Sequence, residues 1–190
     1  MVKMKKQIRW GVFETNSSST HAICISTNHD TNKLKLPDCA SFARGEFGWE
    51  CRKLKSVWEK ASYLYEAVLG TYCDDDAKEK LNHIEKILNK YNIKCDFEPT
   101  SSEYWDGGYI DHVGEDDMLE WLECMLSDDD TLLTYLFGDA FVITGNDNSD
   151  EFRDVMYKSL GKVDTDYGTW TEYGDLKKEY NGYDIYYKGN

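Results

Sequence analysis

The sequence predicts an α+β fold: a mixed or antiparallel sheet with strands from both chain ends around a helical middle. Three observations predict it. Apolar and polar residues alternate near both ends, at Ile8, Trp10 and Val12, across Ala22 to Ser26, and again across Tyr183 to Lys188. Between them, apolar residues recur at helical spacing in several separate stripes. The continuous apolar run Ala140 to Thr144 fits a buried central strand. The 190 residues fit a single α+β domain spanning 1–190, with enough chain to bury a substantial core.

Taken in order, Gln7 to Phe13 and His21 to Ser26 read as short strands. The seven polar residues Glu14 to Thr20 lie between them, so a hairpin with a polar loop is the simplest arrangement. Thr27 to Asp38 is a polar connection. In Arg44 to Glu50, Gly45 and Gly48 flank Glu46 and Phe47 and permit a tight turn. Val57, Ala61, Leu64, Tyr65 and Val68 form the stripe of a first helix, which Gly70 can end. Asp74, Asp75 and Asp76 suit the positive end of a second helix, with Leu81, Ile84, Leu88 and Tyr91 as its stripe. Ile93 to Phe97 fits a strand, and Ser101 to Gly114 a loop. Glu115, Asp116 and Asp117 open a third helix bearing Met118, Leu122 and Met125. Asp128, Asp129 and Asp130 open a fourth, bearing Leu132, Leu133, Leu136 and Phe137 and stopped by Gly138. After a turn at 145–148, Ser149 or Asp150 caps a helix with Phe152, Val155, Met156 and Leu160.

Charge is the strongest compositional anomaly. The net charge is −14, and between Cys95 and Phe152 there are seventeen Asp and Glu with no Lys or Arg. Helix-dipole stabilisation accounts for each acid triplet separately, but an ordinary soluble surface mixes signs. Such a surface repels nucleic acid, so no direct nucleic-acid binding is expected. It favours a cationic counterpart, either a basic protein groove or bound metal ions. The best candidates for a partner-binding face are Glu115, Asp116, Asp117, Glu120, Asp128, Asp129 and Asp130, with Trp105 and Trp121 as aromatic anchors. No apolar run is long enough to cross a bilayer. The basic start is followed by Gln7, Arg9 and Glu14 rather than by an apolar segment, so no membrane partner and a cytoplasmic location are expected. The six cysteines form no CxxC pair and read as free thiols, with Cys24 and Cys124 as small core residues.

Two constellations bear on chemistry. In the polar loop, Glu14, Asn16, Ser17, Ser18 and Ser19 offer hydroxyls and backbone N–H groups to an oxyanion, and His21 offers a base. The same residues also make the Asx and Ser/Thr turns of a structural loop. His21, Asp111, His112 and Asp147 carry imidazole and carboxylate groups suited to a divalent metal ion, though their spacing does not demand one. The segment from Asp147 is not an EF-hand, because Phe152 and Lys158 stand where Gly and Glu are needed.

Four segments together, Phe13 to His21 (FETNSSSTH), Gly45 to Trp49, Tyr109 to His112 and Gly145 to Asn148, resemble an uncharacterised family of proteins from phages and Firmicute-type bacteria. The N-terminal nonamer is the most specific of them. The resemblance implies a mobile-element origin and supplies no activity. By analogy with small acidic phage proteins that act as anti-CRISPR or anti-restriction inhibitors, it directs attention to host defence. The expected function is therefore an inhibitor without cofactor, in the cytoplasm of a bacterial host cell. It would present a phosphate-mimicking face to a basic nucleic-acid-binding host protein such as an RNA-guided or restriction nuclease. The alternative is a small metal-dependent hydrolase or phosphodiesterase. Its site would be the Glu14–His21 loop with Asp111, His112 and Asp147, of which His21, Asp111 and His112 would be catalytic.

Overall fold

The computed structural model describes residues 19–27, 30–100, 108–111, 115–146, 149–160, 177–180 and 182–188. Its elements in chain order are β1 (Ser19–Ser26), β2 (Cys39–Phe42), β3 (Glu46–Phe47), β4 (Arg52–Leu54), α1 (Val57–Thr71), α2 (Asp74–Lys90), β5 (Lys94–Phe97), β6 (Tyr109–Ile110), α3 (Glu115–Ser127), α4 (Asp129–Phe137), β7 (Phe141–Asn146), α5 (Asp150–Leu160), β8 (Lys177–Tyr180) and β9 (Tyr183–Lys188). A 3-10 turn at Thr31–Lys33 interrupts the polar connection after β1.

The main sheet has five strands in the order β4-β7-β1-β9-β8, and every pairing is antiparallel. The fold is thus α+β, with sheet strands from both ends of the chain. Period-2 alternation divides the sheet residues between two cores. Ile23, Ile25, Val142 and Tyr186 join the larger core, which the residues of α1 to α4 build. Ala22, Cys24, Phe141, Ile143 and Ile185 pack on the other face against Phe152, Met156 and Leu160 of α5. Gly145 lets α5 approach closely, since a Cβ there would lie 3.1 Å from the Phe152 ring.

Local sequence sets the helix ends. Ser56 and Glu59 form a reciprocal capping box at the start of α1. Gly70 does not end that helix, which continues to Thr71 before Tyr72 caps it. Asp74, Asp75 and Asp76 fill the first turn of α2, and Asn92 beyond its end takes a φ of 61°, the left-handed conformation that closes helices. Asp128 caps α4 by accepting from Thr131 N, and Gly138 is its C-cap.

Several expectations need revision. Ser19 and Thr20 belong to β1, and their side chains are buried rather than part of an exposed loop. Gln7 to Phe13 lies outside the described residues, and β7 and β9 already occupy the two edges of β1. Arg44 to Glu50 is more than a turn, because β3 pairs in parallel with β6. A second small parallel ribbon, β2 with β5, stacks Phe42 on Phe97 with ring centroids 4.7 Å apart.

Lys60 is a buried cation in α1, and its Nζ donates to the Gly138 carbonyl at 2.9 Å. A positive charge thus meets the negative end of α4. Burial lowers the Lys60 pKa to about 8, with nearby Asp139 opposing that shift. The unfolded chain therefore binds more protons than the folded one between about pH 8 and the ordinary lysine value. Stability should rise over that window, by about 3 kcal/mol in total. The difference in unfolding free energy between the wild type and Lys60→Met should grow in favour of the wild type from about pH 8 to about pH 10. A difference that stays flat in urea titrations across that range would remove the charge penalty.

Candidate functional site

Four stretches distant in sequence meet at one end of the main sheet. The β1–β7 register sets Ser19 opposite Asn146 and His21 opposite Thr144. The β3–β6 ribbon docks beside them, with Glu46 opposite Tyr109 and Phe47 opposite Ile110. Asp111, just past β6, donates its N–H to the Phe47 carbonyl at 2.8 Å. Gly48 makes this approach possible. Its φ is 144°, and a Cβ there would fall 2.5 Å from Asp111 Cβ and 3.3 Å from Ser19 Cβ. Thr144 Oγ1 donates to the Glu50 carbonyl at 2.9 Å and holds the following bend against β7.

The interior of this junction is a polar network. Ser19 Oγ donates to the Asp111 carbonyl. His21 Nε2 is 3.3 Å from both Ser19 Oγ and that carbonyl, and His21 Nδ1 is 3.1 Å from the Tyr63 hydroxyl. Burial pushes the Tyr63 hydroxyl well above its ordinary pKa, so it stays protonated and able to donate. With that hydroxyl donating to Nδ1, the ring N–H lies on Nε2 and faces Ser19 Oγ and the Asp111 carbonyl. Ser19 is 3% exposed and His21 0%. An activated nucleophile gives its proton to the histidine, whereas the Ser19 proton points to a carbonyl. This geometry ties β1, α1 and the segment after β6 together.

A second buried polar group fixes the other end of the ribbon. Glu66 of α1 accepts from Arg44 Nε at 2.6 Å, from Arg44 Nη2 at 3.2 Å and from Gly45 N at 2.9 Å. Arg44 Nη2 also donates to the Gly108 carbonyl at 2.8 Å. A Cβ on Gly108 would sit 2.0 Å from the Gly45 carbonyl oxygen, so this close crossing requires glycine.

The outward face of the ribbon is an open cleft of about 370 Å³. Glu46, Trp49, Glu50, Arg52 and Tyr109 line it, over Phe47 and Gly48. Sequence reasoning gave these residues no role, although the Gly45–Trp49 and Tyr109–His112 segments had already been singled out.

The residues expected at a site divide into four groups. Glu14, Asn16, Ser17, Ser18, Trp105, His112 and Asp147 lie outside the described residues. Ser19, His21 and Asp111 do come together, in the network above. The acids mark helix starts. Glu115, Asp116 and Asp117 form the first turn of α3, and Asp128 caps α4. Glu120 and Asp130 are exposed, while Asp129 accepts from Lys90 Nζ at 2.7 Å. Trp121 is not a surface anchor. It is 1% exposed and packs edge-on against Tyr63 and Tyr135, because its position in α3 faces the core. The acidic surface is also bordered by cations, since Lys80 and Lys86 of α2 line a groove with Glu79 and Glu123. Among the described residues, no group of three His, Cys, Asp or Glu side chains is placed to hold a metal ion. None of the described helices is long and apolar enough to cross a membrane.

Comparison with protein-family models, with curated proteins and with solved structures gives no match. The site must therefore be understood from its own geometry.

Tyr63→Phe keeps the ring but removes the hydroxyl facing His21, and should cost about 1–3 kcal/mol in urea unfolding. Gly48→Ala should cost more, because it adds both an unfavourable φ and a collision with Asp111. A Tyr63→Phe protein as stable as the wild type would show that the network does not support the junction.

Proposed function

We propose that this chain is an acidic binding protein that docks on the basic groove of a nucleic-acid-handling protein and blocks it, with α3 and α4 as the phosphate-mimicking face. The observation that carries this reading is the sign of the charge on those two helices. With the Asp128 cap, they hold eight carboxylates and no basic residue. Glu120, Glu123, Asp128 and Asp130 are exposed among them. Fixed on helices, such charges attract a cationic surface at long range and set its orientation. The lysines of α2 bound the face on one side and limit its width. An RNA-guided or restriction nuclease in a bacterial host cell offers a groove of the required sign, because it must hold phosphates. Burial of Ser19 and His21 weighs against the hydrolase alternative.

The triple variant Glu120→Gln, Glu123→Gln, Asp130→Asn leaves the Asp128 cap and the Lys90–Asp129 pair in place. Binding to guide-free RNA-guided nucleases and to restriction endonucleases can be read by surface plasmon resonance. The wild type should lose affinity by roughly tenfold or more between about 50 and about 300 mM salt, with a smaller loss for the variant. Salt-independent binding would end the mimicry reading.

A further inference from the structure

The β3–β6 ribbon has two faces of opposite character. Phe47 and Ile110 point inward, with Phe47 5% exposed and edge-on to Tyr63 at 5.3 Å between ring centroids. Their register neighbours Glu46 and Tyr109 form a cross-strand pair on the outward face. Trp49 follows the bend at Gly48, so the glycine that lets Asp111 and Ser19 approach also projects this indole into the cleft. Trp49 is 54% exposed and Tyr109 45%, whereas Tyr63, Trp121 and Tyr135 are each buried. Two large exposed rings lining one cleft mark a contact surface.

The charges in the cleft decide what fits. Glu46 and Glu50 are exposed carboxylates on its wall. Its cation, Arg52, is turned to the cleft floor and the α1 cap. The Arg52 guanidinium lies 5.8 Å from the Phe47 ring centroid, and its Nη2 is 3.9 Å from Glu59 Oε1. Two carboxylates to one guanidinium leave the cleft with an excess of negative charge, and aromatic faces beside such an excess hold a positively charged organic group.

We propose that the cleft lined by Glu46, Trp49, Glu50 and Tyr109 binds an arginine or lysine side chain projecting from the partner. Trp49 and Tyr109 stack on the cation, and the two carboxylates accept its hydrogen bonds. This deepens the reading of the chain as a binder of basic surfaces, and it gives that surface the aromatic anchor that buried Trp121 does not supply.

The test is NMR titration of the full chain with the blocked peptide acetyl-Gly-Arg-Gly-amide. The Trp49 indole signal is assigned with Trp49→Phe. It should move saturably with a dissociation constant on the order of millimolar. Glu46→Gln with Glu50→Gln should weaken binding by roughly threefold to tenfold, while the other indole signals report an intact fold. The triple α3–α4 variant should move the Trp49 signal as the wild type does. Three results would overturn the assignment: no movement of the signal, equal movement with acetyl-Gly-Gln-Gly-amide, or movement with an uncharged oligosaccharide instead. The two proposals fail separately. A silent cleft with salt-dependent nuclease binding removes only the cleft. A responsive cleft with no nuclease binding removes only the α3–α4 reading.

Discussion

Strand β1 is hydrogen-bonded along both edges, and the rest of the architecture depends on that. Residues 19–24 pair with β7 and residues 21–26 with β9. Because one strand has a neighbour on each side, its Ile23 and Ile25 are committed to one core and its Ala22 and Cys24 to the other. Helices α1 to α4 and helix α5 can then cover opposite faces. The same register carries Ser19 to the end of the sheet where Asp111 and Gly48 arrive. The junction of the four segments is thus a consequence of strand pairing more than of local loop chemistry.

Helix α1 supplies the second set of ties, and it does so with polar side chains. Lys60 reaches the end of α4, Tyr63 reaches His21 of β1, Tyr65 donates to the Glu98 carbonyl beyond β5, and Glu66 holds Arg44 and Gly45 before β3. Each bond is directional, whereas apolar burial alone tolerates sliding and rotation. A helix buried from Lys60 to Val68 needs such markers to fix which neighbour lies on which side. The surface cleft is built on two of these residues, since Glu66 holds the entry to the ribbon and Tyr63 packs edge-on against its Phe47.

Much of this was legible in the sequence. The acid triplets marked the starts of α2, α3 and α4, because a carboxylate at the positive end of a helix is a local effect. The apolar run after Gly138 identified β7, and alternation identified β9 over its observed residues. Strands β3, β4 and β6 have two or three residues, too few to express a period. Their existence depends on partners far along the chain. For the same reason the burial of Ser19, Thr20 and Lys60 could not be read from residue type, which favours solvent for all three. Trp121 shows a related difficulty. Its place among acids on α3 suggested a surface anchor, while the helical period turned it into the core. Trp49 and Tyr109, two of the exposed aromatic residues, were visible as members of short motifs, but their meeting in one cleft required the β3–β6 register.

The double pairing of β1 also bears on biosynthesis. Its partner β9 lies about 160 residues further along the chain, an interval that translation covers in roughly 8–30 s. During that interval Ala22 to Ile25, destined for the interior, belong to a nascent strand with at least one open edge. Local helices such as α2 can form early, but the sheet cannot close until β9 has been made. A topology of this kind leaves the early strand open to aggregation until its late partner is made.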